Sequence, residues 1–235
     1  MAEKKKKLRP KPIILMVLDG WGIATFYGGN AIGQANTANI KSYLAKYPAM
    51  VLTASGEGVG LPWGEAGNSE VGHLNLGLGR IIYQNLPRIN KTIADGSFYK
   101  NKVLLRAIEQ VKRNNSKLHL LGLTSNGAVH SSLEHLEALI ALITENQVDK
   151  FYVHAILDGR DTPFNSGLNF IKEVETSLAG TKGKIASLSG RFYAMDRDNH
   201  WDRTAKSYEA MALGLGERYE SAEQAIAASY EKKIY

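Results

Sequence analysis

There is no cysteine among the 235 residues. Disulfides and thiolate metal centres are therefore excluded, and any metal has to be held by Asp, Glu, His or Ser. Long hydrophobic runs are also missing. The segment Pro12-Ile13-Ile14-Leu15-Met16-Val17-Leu18 stops at Asp19, too soon for a membrane span or the apolar region of a signal peptide. No internal repeat breaks the chain into a solenoid, and no RRM, KH or zinc-finger pattern accompanies its basic residues. The expectation is a cytoplasmic protein without a membrane or nucleic-acid partner.

Some features are concentrated instead. Much of the formal net charge of +6 lies in Lys4-Lys5-Lys6-Lys7, Arg9 and Lys11. Residues 1–11 read as a solvated, disordered basic tail. The whole sequence is 44% hydrophobic and 22% charged, enough apolar material for a globular core of one large or two modest domains.

Pro12–Leu18 predicts a strand buried on both faces, ended by Asp19-Gly20-Trp21-Gly22. A Gly/Asn-rich loop over 25–36 follows, then a helix over 37–46 and a short strand over 50–54. The serine turn at 67–73 leads into a helical stretch to about Leu78. Residues 80–88 have no clear period and mark a domain boundary. Beyond it a strand-helix rhythm sets in, with strands at 118–123, 150–157 and 184–188. The helices fall at 98–114, around 133–143, at 165–178, at 202–213 and at 221–232. Alternation of this kind predicts an α/β fold with a parallel sheet.

Two segments in the first part carry candidate chemistry. Gly67-Asn68-Ser69-Glu70-Val71-Gly72-His73 sets a serine on a glycine-hinged turn ahead of an apolar stretch. Two readings fit: a nucleophile activated by a distant side chain or a metal, or a serine that caps a helix. Asp19, at the end of an apolar run, is either an Asp-Gly turn residue or a ligand for a hard cation.

In the second part each strand ends in a polar cluster. These are Thr124–Ser131, Asp158–Pro163 and Ser189–Asp198. In a parallel sheet all three lie at one edge, where His130, Arg160, Asp161, Arg191 and Arg197 converge. Three arginines suit carboxylate or phosphate oxygens, which guanidinium binds in a bidentate way. A histidine and an aspartate among them can move protons to and from hydroxyls. Each cluster alone also reads more plainly: His130 as a structural hydrogen-bonder, 158–161 as a turn with an internal ion pair, 196–198 as a surface charge run. His119 and His154 lie inside strands and read as packing residues.

Taken in order, Val17–Gly22, Gly67–His73, Val129-His130-Ser131, Leu157–Pro163 and Ser189–Asp198 resemble the cofactor-independent (2,3-bisphosphoglycerate-independent) phosphoglycerate mutases. The resemblance runs from Pro12 to the end of the sequence. It implies that residues 12–83 are the N-terminal part of an alkaline-phosphatase-like domain, and 84–235 a truncated α/β substrate (transferase) domain with parallel strands. It further implies interconversion of 3-phosphoglycerate and 2-phosphoglycerate in glycolysis through a phosphoserine at Ser69. Asp19 and Ser69 are then ligands in a two-manganese (Mn2+) site. His130, Arg160, Asp161, Arg191 and Arg197 hold the phosphoglycerate, with Asp161 transferring protons. Other members are about twice as long. The remaining metal ligands, a lysine and two more arginines lie in the part not matched here, so the chain alone is expected to be inactive. It is expected to be a monomer, complemented by a C-terminal half. The family usually reads Ser-Asp-Gly-Gly-Val-His-Ser-His where this chain has Ser125-Asn126-Gly127-Ala128-Val129-His130-Ser131-Ser132, a change expected to alter the loop modestly. A phosphoglycerate-binding module without catalysis and a metal-dependent phosphohydrolase of the same superfamily are the competing expectations.

Overall fold

The computed structural model describes residues 11–25 and 27–234. The basic tail, apart from Lys11, lies outside the described residues. The order of elements is α1 (Ala31–Gln34), α2 (Ala38–Lys46), α3 (Ser69–Leu78), α4 (Asn85–Ala94), α5 (Lys102–Arg113), β1 (Leu118–Thr124), α6 (Leu133–Glu145), β2 (Phe151–Leu157), α7 (Gly167–Leu178), β3 (Lys184–Gly190), α8 (Arg191–Ala194), α9 (Trp201–Tyr208) and α10 (Ala222–Glu231).

The three strands form one parallel sheet in the order β1-β2-β3. Phe151, Val153 and Ala155 of the central strand alternate onto one face. There they meet Ile140 and Ile143 of α6, Phe170, Ile171 and Val174 of α7, and Ile226 of α10. This is the core. Because β2 is buried on both faces, its sequence is nearly continuous in apolar residues. On the opposite face His119 Nδ1 and His154 Nε2 lie 2.8 Å apart, and His154 Nδ1 lies 2.7 Å from Ser187 Oγ. The two histidines therefore pair across strands, and only His154 is buried. Burial, and then the charge of His119, hold His154 below the ordinary imidazole value.

The first part differs from its sequence expectation. Neither 12–18 nor 50–54 is a strand; both are irregular, and Ile13 is 94% and Leu15 74% exposed. An apolar run becomes a strand only when a neighbour takes up its backbone N–H and C=O groups, and among the described residues none does so here. The loop at 25–36 contains the single turn α1, capped by Asn30, which accepts from Gly33 N. The aperiodic stretch at 80–88 ends inside a helix. Pro87 sits in the first turn of α4, where its missing N–H has no intrahelical acceptor to lose.

In the second part the expected elements are present with shifted ends. The helix at 98–114 is split at Asn101, whose side chain accepts from Val103 N and Leu104 N and so restarts the chain as α5. The helix at 202–213 closes in a π-helical turn, Glu209–Leu213. No helix among the described residues is long and apolar enough to cross a membrane.

Candidate active site

Because the strands are parallel, their polar ends do share one edge. They frame a cleft of about 340 Å³ lined by His130, Arg160, Arg191 and Arg197, together with Asp158, Asp196 and Arg203. Four of the five expected substrate residues thus meet in one place, and the fifth, Asp161, is tied to it through Arg191. β3 passes directly from Gly190 into α8, so Arg191 stands at the junction. Its Nη1 donates to Asp158 Oδ1 at 2.7 Å and to Asp161 Oδ2 at 2.6 Å.

Asp158, not Asp161, turns inward. Its side chain is 1% exposed. It accepts from Ser125 Oγ at 2.6 Å and from the backbone N–H groups of Arg160 at 3.1 Å and Asp161 at 3.0 Å. Burial pushes its pKa upward, but the bonds from Ser125, Asp161 N, Arg191 and Arg160 N outweigh it and hold the carboxyl at about 2. The turn at 158–161 is therefore built by a carboxylate on backbone amides, and its ion pair is with Arg191 rather than within the turn.

A similar device shapes the third loop. Asp196 is nearly buried and accepts from Asp198 N, His200 N and Arg203 Nη1. It is thus not part of a surface charge run. Arg203 also lies over the Phe192 ring, 4.0 Å from its centroid. Among the described residues Arg160 and Arg197 have no ion-pair partner, and both are exposed, as is His130. These are the free charges and the free imidazole of the cleft. Sequence reasoning passed over Asp158, Ser125, Asp196 and Arg203. The one signal available was Asp followed by polar residues just after a strand, where a carboxylate cups the next amides.

The altered loop rests on two special backbone positions. Ala128 has φ +59°, in the left-handed region, where a glycine would be free of strain. A Cβ on the preceding Gly127 would lie 2.9 Å from Asp161 Cβ, so that glycine lets the loop reach the Asp161 turn.

Ser69 and Asp19 lie elsewhere; neither lines the cleft. Asn68, not Ser69, caps α3: its side chain accepts from Val71 N at 3.0 Å. That leaves Ser69 as the first helical residue with its hydroxyl free to donate to Asp19 Oδ2 at 2.6 Å. His73, one turn on, places Nδ1 2.8 Å from the Ser69 carbonyl oxygen and 3.1 Å from Oγ. A bare nitrogen that close to a carbonyl would oppose two lone pairs, so Nδ1 carries the proton here. His73 is therefore a donor to Ser69 and not its base. Asp19 and Ser69 are hard oxygen donors, a fit for a divalent cation. They are only a pair, however, and no group of three metal-ligating His, Cys, Asp or Glu residues occurs among the described residues.

The family model for the N-terminus of BPG-independent phosphoglycerate mutase (PGAM) matches residues 89–235. The chain belongs to this family. A 2,3-bisphosphoglycerate-independent phosphoglycerate mutase of Clostridium perfringens is 52% identical over 221 residues, which are 94% of this chain and 43% of that protein. One from Chloroflexus aurantiacus is 49% identical over 227 residues, covering 96% of this chain and 42% of that protein. Among solved structures, a phosphoglycerate mutase of Leishmania mexicana, determined at low cobalt concentration, superposes with a TM-score of 0.65 at 32% identity. It covers 86% of this chain and 38% of that one. The mutase family thus accounts for the parallel sheet, while the chain spans less than half the length of these relatives.

Proposed function

We propose that this chain is the N-terminal portion of a phosphoglycerate mutase that interconverts 3-phosphoglycerate and 2-phosphoglycerate through a phosphoserine. The observation that carries this reading is the Ser69–Asp19 pair: a serine hydroxyl at a helix start, freed from capping by Asn68 and hydrogen-bonded to a carboxylate at 2.6 Å. In this scheme Ser69 first loses its hydroxyl proton to solvent; Oγ then attacks the phosphorus of 3-phosphoglycerate, and the bond from phosphorus to the substrate O3 breaks. Asp161 gives a proton to that oxygen. The glycerate then reorients, its 2-hydroxyl returns a proton to Asp161 and takes the phosphoryl group, and Ser69 is released. The scheme requires the first part to close on the cleft so that Ser69 meets the substrate, which Arg160, Arg191, Arg197 and His130 hold throughout. The positive end of α3 favours the phosphoryl oxygens at Ser69.

Asp19 and Ser69 would hold one of two manganese ions, whose charge favours the serine alkoxide. The other ligands are assigned to a complementing C-terminal half, and residues 12–83 and 84–235 to parts of two domains. The working protein is a cytoplasmic monomer. By itself the chain is expected to hold manganese weakly, because two oxygen donors leave such an ion largely hydrated.

The test joins this chain to the unmatched remainder of the Clostridium perfringens relative and couples 3-phosphoglycerate turnover to pyruvate formation. Ser69→Ala should lower turnover by about a thousand-fold or more. An alanine variant within about ten-fold of its parent would sink the covalent reading.

A further inference from the structure

The Asp158 carboxylate has little left to offer a ligand. A carboxylate accepts about four hydrogen bonds, and Asp158 has four donors on it already. These donors come from three strand ends: Ser125 follows β1, Arg160 and Asp161 follow β2, and Arg191 follows β3. One buried side chain therefore joins the three loops that form the cleft.

Its effect on Arg191 is specific. Both N–H groups of Nη1 are taken, one by Asp158 and one by Asp161. The remaining three, on Nε and Nη2, have no acceptor among the described residues, and Arg191 lines the cleft. A guanidinium fixed at one nitrogen keeps a planar edge for bidentate binding of a phosphate or carboxylate. Asp161 would do this poorly alone, since its own side chain is more exposed and, among the described residues, hydrogen-bonds only to Arg191. We propose that Asp158 is the positioning residue of the cleft, holding Arg191 and the Arg160–Asp161 turn in the geometry that receives the anionic end of phosphoglycerate. This rests on the reading of the cleft as a phosphoglycerate site.

The experiment is calorimetric titration of the 235-residue chain with 3-phosphoglycerate, for the parent, Asp158→Asn, Ser125→Ala, Arg191→Gln and the Asp158→Asn/Arg191→Gln pair. Asparagine is isosteric and can still cup the two backbone amides, but it cannot pair a charge with Arg191. Asp158→Asn should weaken binding about ten-fold while keeping the parent circular dichroism. In the Arg191→Gln background the same change should cost less than about two-fold, because the residue acts through Arg191. A merely structural role would give the same loss in both backgrounds. Ser125→Ala, which removes one hydrogen bond, should cost about three-fold and stands in for Asp158→Asn should that variant not fold. Undiminished affinity in both Asp158→Asn and Ser125→Ala, or equal losses in the two backgrounds, would overturn this inference alone. A parent chain that does not bind 3-phosphoglycerate would overturn the phosphoglycerate reading, and this inference with it.

Discussion

The Ser69–Asp19 pair and the arginine cleft sit in opposite surroundings. Around Ser69 the chain is held mainly by short-range devices, an Asn68 cap and a His73 contact one turn along, with a long-range bond to Asp19. Little is buried there beyond Gly56, Gly60, Leu61 and Val71. The cleft instead stands on a sheet whose core includes Ile171 and Val174 at 0% exposure, and its loops are fastened by buried carboxylates. The proposed nucleophile is therefore presented by a helix terminus, the proposed anion site by a scaffold. A local motif keeps its geometry with few contacts, whereas three loops meeting in space need a packed platform.

The strongest way to break this contrast is to attack the two apolar sets separately. Ile171→Ala should cost about 2–5 kcal/mol in the unfolding free energy of the chain, since it empties a fully buried site. Leu15→Ala, at a residue 74% exposed, should cost less than about 0.5 kcal/mol. Denaturant unfolding followed by circular dichroism measures both. Comparable losses would show that the first part is supported by packing after all.

A middle-sized effect concerns acid. The Asp158 carboxyl is held at about 2 in the folded chain against an ordinary 3.8. Its folded pKa is lowered, so its stabilisation is fully present above about pH 4 and is lost as pH falls toward 2. The loss should be about 2 kcal/mol, read as the change in unfolding free energy across that window. Asp158→Asn should remove this component. A variant that retains the full acid sensitivity of the parent would assign it to other carboxylates.

The smallest effect tests how tightly the cleft loops are drawn. Ala128→Gly should stabilise the chain by about 0.5–1 kcal/mol, because relief of left-handed strain exceeds the added freedom of the unfolded chain. A destabilised glycine variant would mean that the alanine methyl is a contact the loop uses.

The second part was largely legible in the sequence, and the reason is physical. Its three strands pair with one another, so the apolar runs, the helices between them and the polar ends all report on contacts made within these residues. His130, Arg160, Arg191 and Arg197 could be placed at one edge from the parallel rhythm alone. The run at 12–18 misled because strand formation is a property of a pair, and composition records only one member. Burial was the other blind spot. Asp158 and Asp161 are two turn aspartates with similar neighbours, and which one faces inward depends on Ser125 and Arg191, distant in sequence. Asn68 and Ser69 are both good capping residues; a shift of one position decides which is the cap and which is left to bond Asp19.

The paired imidazoles of His119 and His154 add a measure of assembly. Their contact joins β1 to β2 diagonally, since His119 lies opposite Tyr152 and His154 opposite Leu121. Sliding one strand by a single residue would turn one ring to the other face of the sheet. With one ring in the donor tautomer, a proton between the two nitrogens, 2.8 Å apart, exists only in the native register. Its downfield magnetic resonance signal would appear when the strands lock and vanish when they part, an internal gauge of whether the scaffold has formed.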